Sequence, residues 1–445
     1  MQFAGDYQLE NILVHAPSTN GSLDIKGLML ELNVYESIYT PNLSGSLTIA
    51  DSANHLQNVP FIGQEELEFK FGIPDNDLID FTRHRARITK ISNVVRTEER
   101  QQVYTLNFTT KEFVRNLRHK VAKSYKGNAL QIIHEVLKDT IGTDKSLRLE
   151  DTKQRLQLLG NNMDPFSFCS MVAKRSSSRD FNTDGMLFYE SHFGYNLSSF
   201  GSISQLEPKI EYFVNPTDDR DTEADMHKIL EYRITKNQDL LAHIKTGLLA
   251  STHYTYEHTN KKYSTTTQKY FDTFANIPYH TDNAPIYSQT PEDEKGNTVS
   301  DFTEASITYS TSNPYLFTKN PVDFQDYSNT SNLKPSRVYN YLSNDAFSVK
   351  CTVPGNSVLG AGDVVVLNLP SLEPIPDNSV GRNVYDQYLS GRYILTNIVH
   401  TLSSTGYSTT FDAVKDSVPI KYVPGATPRE VMNLSLIHIS EPTRR

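Results

Sequence analysis

The order of apolar and polar positions in residues 1–110 predicts β-strands. Apolar residues alternate with polar ones in three segments that are separated by turn-forming residues. This period of two is typical of an antiparallel sheet or barrel with one buried face. The positions predicted to share a face are Leu28, Leu30, Leu32 and Val34 in "GLMLELNVYESIY", Leu67, Phe69 and Phe71 in "ELEFKFG", and Tyr104, Leu106 and Phe108 in "YTLNF".

Residues 111–210 have a helical period instead. "GNALQIIHEVLKDTIG" carries one apolar stripe, and Asn128 is placed to cap the helix start. In "MDPFSFCSMVAKRSS", Asp164 and Pro165 form a cap followed by a first-turn proline. Phe168, Cys169 and Val172 would then face inward. We expect a small α+β domain with its own core, which returns to strands at "GMLFYESHFGYNL".

Strand patterns resume in residues 211–258 and 336–418, for example in "ILEYRITKN" with Leu230, Tyr232 and Ile234 on one side. We assign both stretches to one second barrel. The polar, weakly periodic residues 259–335 are expected to be an inserted domain, and residues 419–433 a tail.

An internal repeat links the two strand regions. Gly63 precedes "EELEFKFGIPD", and "ARITKISNVV" and "YTLNF" follow; Gly362 precedes "DVVVLNLPS", and "RYILTNIVHTL" and "YSTTF" follow. Ile88-Thr89-x-Ile91 and Leu395-Thr396-x-Ile398 occupy matching places. The repeat predicts two copies of one barrel, which would let a trimer present six similar units around an axis.

Charge is unevenly distributed along the 445 residues. The formal net charge is -9, yet residues 83–126 hold twelve Lys or Arg and three Glu, a local charge of +9 that leaves -18 elsewhere. This asymmetry indicates either opposite patches that meet between subunits or contact with a polyanion; a solvated basic face is the alternative. No run of about 18 apolar residues is present, so no membrane-spanning segment is predicted.

Motifs of enzymes and cofactor sites were sought, and no catalytic, cofactor-binding or metal-binding residue is predicted. The chain has no GxxxxGK[ST], GxGxxG after a strand, GxSxG or HExxH. His253 and His258 would lie on opposite faces of a strand. Cys169 and Cys351 fit small buried side chains better than nucleophiles. Calcium is an alternative only at an acidic loop, which consists of Asp218, Asp219, Asp221, Glu223 and Asp225 and lacks the glycine and bidentate glutamate of an EF-hand.

A resemblance to a family rests on several segments taken in order. "KCTVPGNSVLGAGDVVVLNLPS" and "SGRYILTNIVHTLSSTGYSTTFDAV" resemble the second tube-like barrel of the baseplate hub proteins of T-even-like contractile phage tails. "KEFVRNLRHKVAKSYKGNALQIIHEVLKD", "MDPFSFCSMVAKRS" and "GMLFYES" resemble that family's second domain. The likeness covers residues 1 to about 418 and is weak across residues 259–335.

The resemblance implies two tail-tube-like antiparallel β-barrels in one chain plus two smaller domains, and a structural protein that is not an enzyme. Three copies would form a pseudo-sixfold ring between the tail tube and the trimeric cell-puncturing spike, among other baseplate proteins. Genome DNA would pass through the bore without sequence-specific binding. The protein would be made in the host cytoplasm and end up in the tail baseplate of the virion.

Two other functions stay open on the sequence. One is the hub part of a type VI secretion spike or another contractile injection machine. The other is a carbohydrate-active protein, which tyrosine-rich strands and scattered acids permit. For the hub, Arg115, Arg118, Lys120 and Lys123 are the predicted contacts to a neighbouring subunit.

The last residues have a separate resemblance. "LSLIHISEPTR", residues 434–444, resembles the translation of a transposase adaptor used in sequencing libraries. We therefore expect residues 434–445 not to be native, and we give them no functional role.

Overall fold

The computed structural model describes residues 5–17, 21–52, 61–74, 78–98, 101–153, 155–181, 183–214, 226–258, 261–312, 333–371 and 385–420. Within these ranges strands outnumber helices, which confirms a mainly β chain with a small α+β unit. The acidic loop and residues 434–445 lie outside the described residues. In the described ranges no helix is both long and apolar enough to cross a bilayer.

The first strand set surrounds a core of aliphatic and aromatic side chains. Its main sheet has the order β4-β5-β10-β9-β6-β2-β3, and β1-β7-β8 form a small sheet beside it. A 3-10 turn, Lys26–Leu28, precedes β4. The strands are β1 (Gln8–Leu9), β2 (Leu13–Ala16), β3 (Gly21–Asp24), β4 (Met29–Ser37), β5 (Ser44–Asp51), β6 (Glu66–Glu68), β7 (Lys70–Gly72), β8 (Ile79–Asp80), β9 (Ala86–Glu98) and β10 (Gln101–Thr110).

The predicted burial holds for most of this set. The apolar positions predicted in β6, β7 and β10, with the intervening Phe69, are buried, as are Leu32 and Val34 in β4. Leu28 and Leu30 differ from the prediction. Leu28 lies in the 3-10 turn, and Leu30 is 43% exposed at a bulge where the pairing of β4 with β5 shifts. A bulge inserts one residue and turns a side chain to the other face, which a period of two cannot reveal.

The α+β unit follows directly and packs its helices on its own core. Asn128 caps α2 as predicted, in a capping box with Gln131. Phe168, Cys169 and Val172 of α3 are buried, also as predicted. The elements are α1 (Lys111–Arg118), β11 (Ser124–Gly127), α2 (Ala129–Glu135) with a π-helical turn (Val136–Ile141), β12 (Leu147–Leu149), β13 (Leu156–Leu159), α3 (Pro165–Lys174), β14 (Leu187–Ser191), β15 (Gly194–Ser198) and α4 (Phe200–Ser204).

The remaining described chain contains a second strand set with an insertion. The second set consists of β16, β17 and β22–β25, and the inserted unit runs from α5 to α7. The elements are β16 (Ile210–Phe213), β17 (Glu231–Asn237), α5 (Leu240–Thr246), β18 (Ala250–Glu257), β19 (Lys262–Lys269), α6 (Tyr270–Asn276), β20 (Ala284–Pro285), β21 (Ile307–Ser312), α7 (Leu333–Ser343), β22 (Phe347–Pro354), β23 (Val364–Asn368), β24 (Gly391–Ser403), β25 (Gly406–Lys415) and β26 (Ser417–Val418).

The insertion begins earlier than residue 259. β18 was assigned to the second barrel from its sequence, but it pairs with β19 and β21 in a separate three-stranded sheet. Buried His253 links β18 to Thr308 and Ser310 of β21 at 2.7 and 2.8 Å. A strand pattern reports burial but not the partner strand, so the sequence could not place this boundary.

The second set surrounds another core, in the order β17-β22-β25-β24-β23-β16. Phe213 at the end of β16 forms a parallel bridge with Lys228, just before β17, which brings the two ends of the set together. β24 also pairs with β4 over seven residues, from Asn397↔Ser37 to Ser403↔Glu31. The two strand sets are therefore joined in one continuous sheet.

The internal repeat is present at the level of single hydrogen bonds. Thr89 and Thr396 each lie at a bulge, and each donates its hydroxyl across the ladder to a carbonyl, on Asn107 at 3.2 Å and Asp412 at 3.0 Å. The threonine pairs Thr48–Thr105 and Thr352–Thr410 both have their hydroxyl oxygens 3.1 Å apart. These matches confirm that Ile88-Thr89-x-Ile91 and Leu395-Thr396-x-Ile398 are equivalent.

One alignment in the repeat shifts by two residues. Ile91 faces Leu106, and its equivalent Ile398 faces Phe411. Leu106 therefore corresponds to Phe411, whereas placing "YTLNF" over "YSTTF" in the sequence matches Phe108 with Phe411. Because a shift of two keeps each side chain on the same face, alternation alone cannot detect it.

Candidate functional site

The basic segment, residues 83–126, is partly neutralised within the chain. Several of its cations lie beside carboxylates, which belong either to residues of the first strand set or to Asp144. Its net positive surface is therefore smaller than the sequence charge indicates. The ion pairs are Arg83 and Lys111 with Asp144, Arg85 with Glu66 and Glu68, and Arg87 with Glu66.

The four predicted contact residues lie on the α+β unit, and three of them have internal partners. Arg115 donates to the carbonyls of Ile141 and Gly142 at the end of the π-helical turn, at 3.1 and 2.9 Å. Lys120 pairs with Asp164 and Lys123 with Glu135, both at 2.6 Å. The last of the four, Arg118, is exposed. Their contact with a neighbouring subunit stays a prediction.

A buried charge cluster joins the first strand set to the α+β unit. The Lys145 ammonium lies 3.1 Å from a Glu112 oxygen and 2.6 Å from a Glu190 oxygen, and both carboxylates are fully buried. Glu190 also accepts the Leu43 backbone N–H at 3.0 Å and the Thr110 hydroxyl at 3.1 Å. Burial alone would lower the pKa of Lys145, but the two carboxylates hold it above its usual value. The cluster therefore connects these two parts of the chain through buried hydrogen bonds.

A second buried cluster joins three parts of the chain. Glu36 comes from β4, His192 from the turn between β14 and β15, and His400 from β24. His192 Nδ1 lies 2.6 Å from Glu36 Oε1, and the Ala361 N–H donates to Glu36 Oε2 at 3.0 Å. His400 Nδ1 lies 2.8 Å from the hydroxyl of Tyr407. We call Glu36, His192 and His400 the junction triad.

The protonation of the junction triad follows from burial and mutual charge. Burial alone would raise the pKa of Glu36, but His192, His400 and the Ala361 N–H lower it to about 2. Burial lowers the pKa of His400 to about 4, with Glu36 opposing that shift. At neutral pH Glu36 is therefore ionised and His400 neutral.

A cavity of about 280 Å³ lies at the same junction. Its wall includes Phe81, Arg83 and His84 from the first strand set and His192 and Phe193 from the α+β unit. His192 is the member of the junction triad that lines this cavity.

The histidines and cysteines that the sequence analysis considered differ in exposure. His253 is buried in β18, whereas His258 lies in the turn directly after that strand and is exposed. Both cysteines are buried. Burial raises the pKa of Cys169, and burial together with Asp412 raises the pKa of Cys351 to about 12, so both thiols are protonated at neutral pH.

Sequence reasoning missed the junction triad. Its members belong to three separate segments, and Glu36 and His192 are 156 positions apart. His192 and His400 were two of thirteen scattered histidines. The repeat is the sequence feature that could have indicated such a cluster. It predicts that two strand sets meet, and polar residues buried at that contact need partners.

Comparison with known proteins gives similarity in fold. A tail protein from Neisseria meningitidis MC58 is similar with a TM-score of 0.50 and 11% identity, over 92% of this chain and 97% of that one. A 43 kDa tail protein of prophage MuSo2 from Shewanella oneidensis has a TM-score of 0.51 and 9% identity, over 92% of this chain and 100% of that one. A type VI secretion component from E. coli is 10% identical, over 94% of this chain and 79% of that one. Its TM-score of 0.40 is too low to indicate a common fold.

No family model and no curated protein sequence matches the chain. At 9–11% identity, the two tail proteins share the fold of this chain over nearly its whole length.

Proposed function

We propose that the chain is a structural hub subunit of a phage tail baseplate. Three copies form a ring in which the two strand sets of each copy supply six similar units. One face of the ring meets the sixfold tail tube and the other the trimeric spike, with other baseplate proteins around it. Genome DNA passes through the bore, and the assembled subunit is part of the virion and is not an enzyme.

The observation that carries the proposal is the repeat joined through β24 and β4. Two strand sets with the same bulges and the same threonine pairs lie side by side in one sheet. Such a duplicated unit presents equivalent surfaces twice per chain, so a threefold ring matches a sixfold partner with similar contacts at each position. The fold likeness to two tail proteins, one of them from a prophage, supports placing this function in a tail.

An exposed apolar strand also supports assembly. Every residue of β17 is exposed, and within the described residues β17 ends the continuous sheet, paired with β22 on one side. Leu230, Tyr232 and Ile234 are 57%, 36% and 37% exposed. Apolar side chains along an open strand edge favour pairing with another chain. The neighbouring subunit of the ring is the partner that we propose for this edge.

The mass of the assembly in solution tests the proposal. Light scattering of purified protein, alone and with a cognate spike protein, should give three copies of the 50.4 kDa chain in the complex. Ile234→Lys should lower the trimer fraction at least tenfold, because it places a charge in the apolar contact. Arg233→Ala, on the opposite face of the same strand, is the matched control. Monomers under both conditions would contradict the ring.

A further inference from the structure

The junction triad has the composition and burial of a metal site. Glu36 and His400 are buried, and the His192 side chain is 5% exposed. One ligand atom of each residue lies within 4.8 Å of the other two. The three residues come from the first strand set, the α+β unit and the second strand set. One ion bound to all three residues would therefore link these three parts of the chain.

Two ring nitrogens in the triad are left without hydrogen bonds. The Nε2 atoms of His192 and His400 are buried, and neither has a hydrogen-bond partner among the described residues. The Leu359 backbone lies near His400 but forms no hydrogen bond of normal geometry with Nε2. Buried polar atoms in folded proteins are almost always paired. A metal ion bound by His400 Nε2 would supply the partner that this nitrogen lacks.

The surrounding contacts are those that orient metal ligands. The Tyr407 hydroxyl contacts His400 Nδ1, which leaves Nε2 as the coordinating atom. The backbone N–H groups of His192 and Ala361 donate to the two oxygens of Glu36 at 2.9 and 3.0 Å.

We propose that Glu36, His192 and His400 bind one zinc-like divalent ion, which cross-links the three parts of the chain. Two imidazoles and one carboxylate form a ligand set of zinc, whereas calcium and magnesium prefer more oxygens. His192 would bind through Nδ1, because its Nε2 points away from Glu36 and the two residues could not share an ion there. The 2.6 Å contact between Nδ1 and Glu36 would then open to about 3.3 Å, the spacing of ligands around tetrahedral zinc. This site stands on the fold and does not depend on the proposed baseplate function.

Metal content and metal-dependent stability test the site on full-length, tag-free protein. The protein is first dialysed against EDTA and then incubated with excess zinc, and unbound zinc is removed by gel filtration. Elemental analysis should then find about one zinc per chain. Zinc added to the EDTA-treated protein should raise the midpoint of thermal unfolding by at least about 3 °C, because a ligand of the folded state stabilises it. Calcium and magnesium at the same concentration should produce no comparable rise. Absence of retained zinc together with an unchanged midpoint would overturn the proposal.

Variants locate the ion independently of their own stability. The readout is the difference between unfolding midpoints with and without zinc, which is measured for each variant against itself. His192→Gln and His400→Gln should abolish this difference. His84→Gln is the control, since His84, Glu112 and Asp144 form the other group of metal-competent residues in the described chain. A zinc response that survives in His400→Gln and disappears in His84→Gln would place the ion at the wrong cluster and refute the assignment.

Cobalt gives a direct spectroscopic check. Co²⁺ in place of zinc should produce the strong visible absorption of a tetrahedral site in the wild type and in His84→Gln. This absorption should be missing in His192→Gln and His400→Gln. A spectrum of hexaaquo cobalt in the wild type would count against a protein-bound ion.

Discussion

Gly45 has no space for a side chain because of the residue across the ladder. A β-carbon on Gly45 would lie 2.2 Å from the Phe108 ring and 2.4 Å from the Asn33 carbonyl oxygen. In the second strand set the equivalent pair is Val349 and Ala413, with the sizes reversed. Each repeat therefore fills the same layer with one large and one small residue, and the glycine is fixed by packing and not by backbone conformation.

Gly45→Ala should destabilise the protein by about 3 kcal/mol, because both the ring and a backbone carbonyl must move. Gly27→Ala is the matched control, since a β-carbon there meets nothing within 4 Å. It should change the free energy of unfolding by less than about 0.5 kcal/mol. Urea denaturation measures both, and equal effects at the two sites would contradict the packing argument.

His280 and Asp416 form a buried pair where the inserted unit meets the end of the second strand set. His280 Nδ1 lies 2.8 Å from Asp416 Oδ2, and the Thr281 hydroxyl donates to Oδ1 at 2.6 Å. Burial alone would lower the pKa of His280, but Asp416 raises it above the usual 6.5. Burial alone would raise the pKa of Asp416, but His280 and Thr281 lower it from 3.8 to about 2.

The signs of these shifts predict a pH profile. A base with a raised pKa, here His280, contributes fully to the free energy of unfolding below pH 6.5. This contribution is lost as the pH rises through the pKa of the base in the folded protein. The contribution of an acid with a lowered pKa is complete above pH 3.8 and is lost as the pH falls toward 2. His280→Gln should therefore cost most at about pH 5 to 6, roughly 3 kcal/mol, and less at about pH 9. Urea denaturation of both proteins across this range measures the difference, and a cost independent of pH would exclude an ionic role.

Sequence reasoning at the scale of single residues succeeded where burial follows from local period. It placed Phe69, Phe168 and Cys169 correctly inside. It could not find Glu36 or His400, because a polar residue within a strand is buried or exposed according to a partner that is distant in sequence.

The two helices with predicted N-caps differ in how they begin. The Asn128 side chain accepts the Gln131 N–H and completes a capping box, and it also donates to Asp151. Asp164 has the sequence of a cap, but its side chain accepts no capping hydrogen bond and pairs with Lys120 instead. The same residue class in the same position therefore has different partners, which the sequence did not distinguish.

Asn128→Ala should lower the free energy of unfolding by about 1 kcal/mol, because it removes the side-chain acceptor of the Gln131 backbone N–H at the start of α2. Asp164→Ala should cost less than about 0.5 kcal/mol, since an exposed ion pair contributes little. Chemical denaturation of both variants gives the comparison. A larger loss for Asp164→Ala would mean that its capping role was judged wrongly.

The elements themselves were largely predictable, but their partners were not. Strand periods located β4, β6, β7, β9, β10 and β22–β25, and the repeat matched Thr89 with Thr396. The membership of β18 in the insertion and the bulge at Leu30 depend on hydrogen bonds between strands, and these leave no period in the sequence.

On the scale of the whole molecule, the basic segment has less free charge than its sequence indicates. Three of the four predicted contact residues are engaged within the chain, whereas Arg118 is exposed and has no ion-pair partner among the described residues. If this surface meets an acidic neighbour, Arg118→Glu should weaken assembly about tenfold at physiological salt, with less effect at 0.5 M salt. Lys295→Glu, in an exposed loop of the inserted unit, is the control. Analytical ultracentrifugation compares them, and identical assembly of both variants with the wild type would reject Arg118 as a contact.

The arrangement of the two strand sets around an axis is the central claim. Electron cryo-microscopy of the protein bound to its spike partner measures it directly. We expect a ring of three chains with a central channel and six similar strand sets around it. Within each chain, the two strand sets should superimpose with the bulge at Thr89 on the bulge at Thr396. A particle with any other number of chains, or with only one of the two strand sets facing the channel, would contradict it.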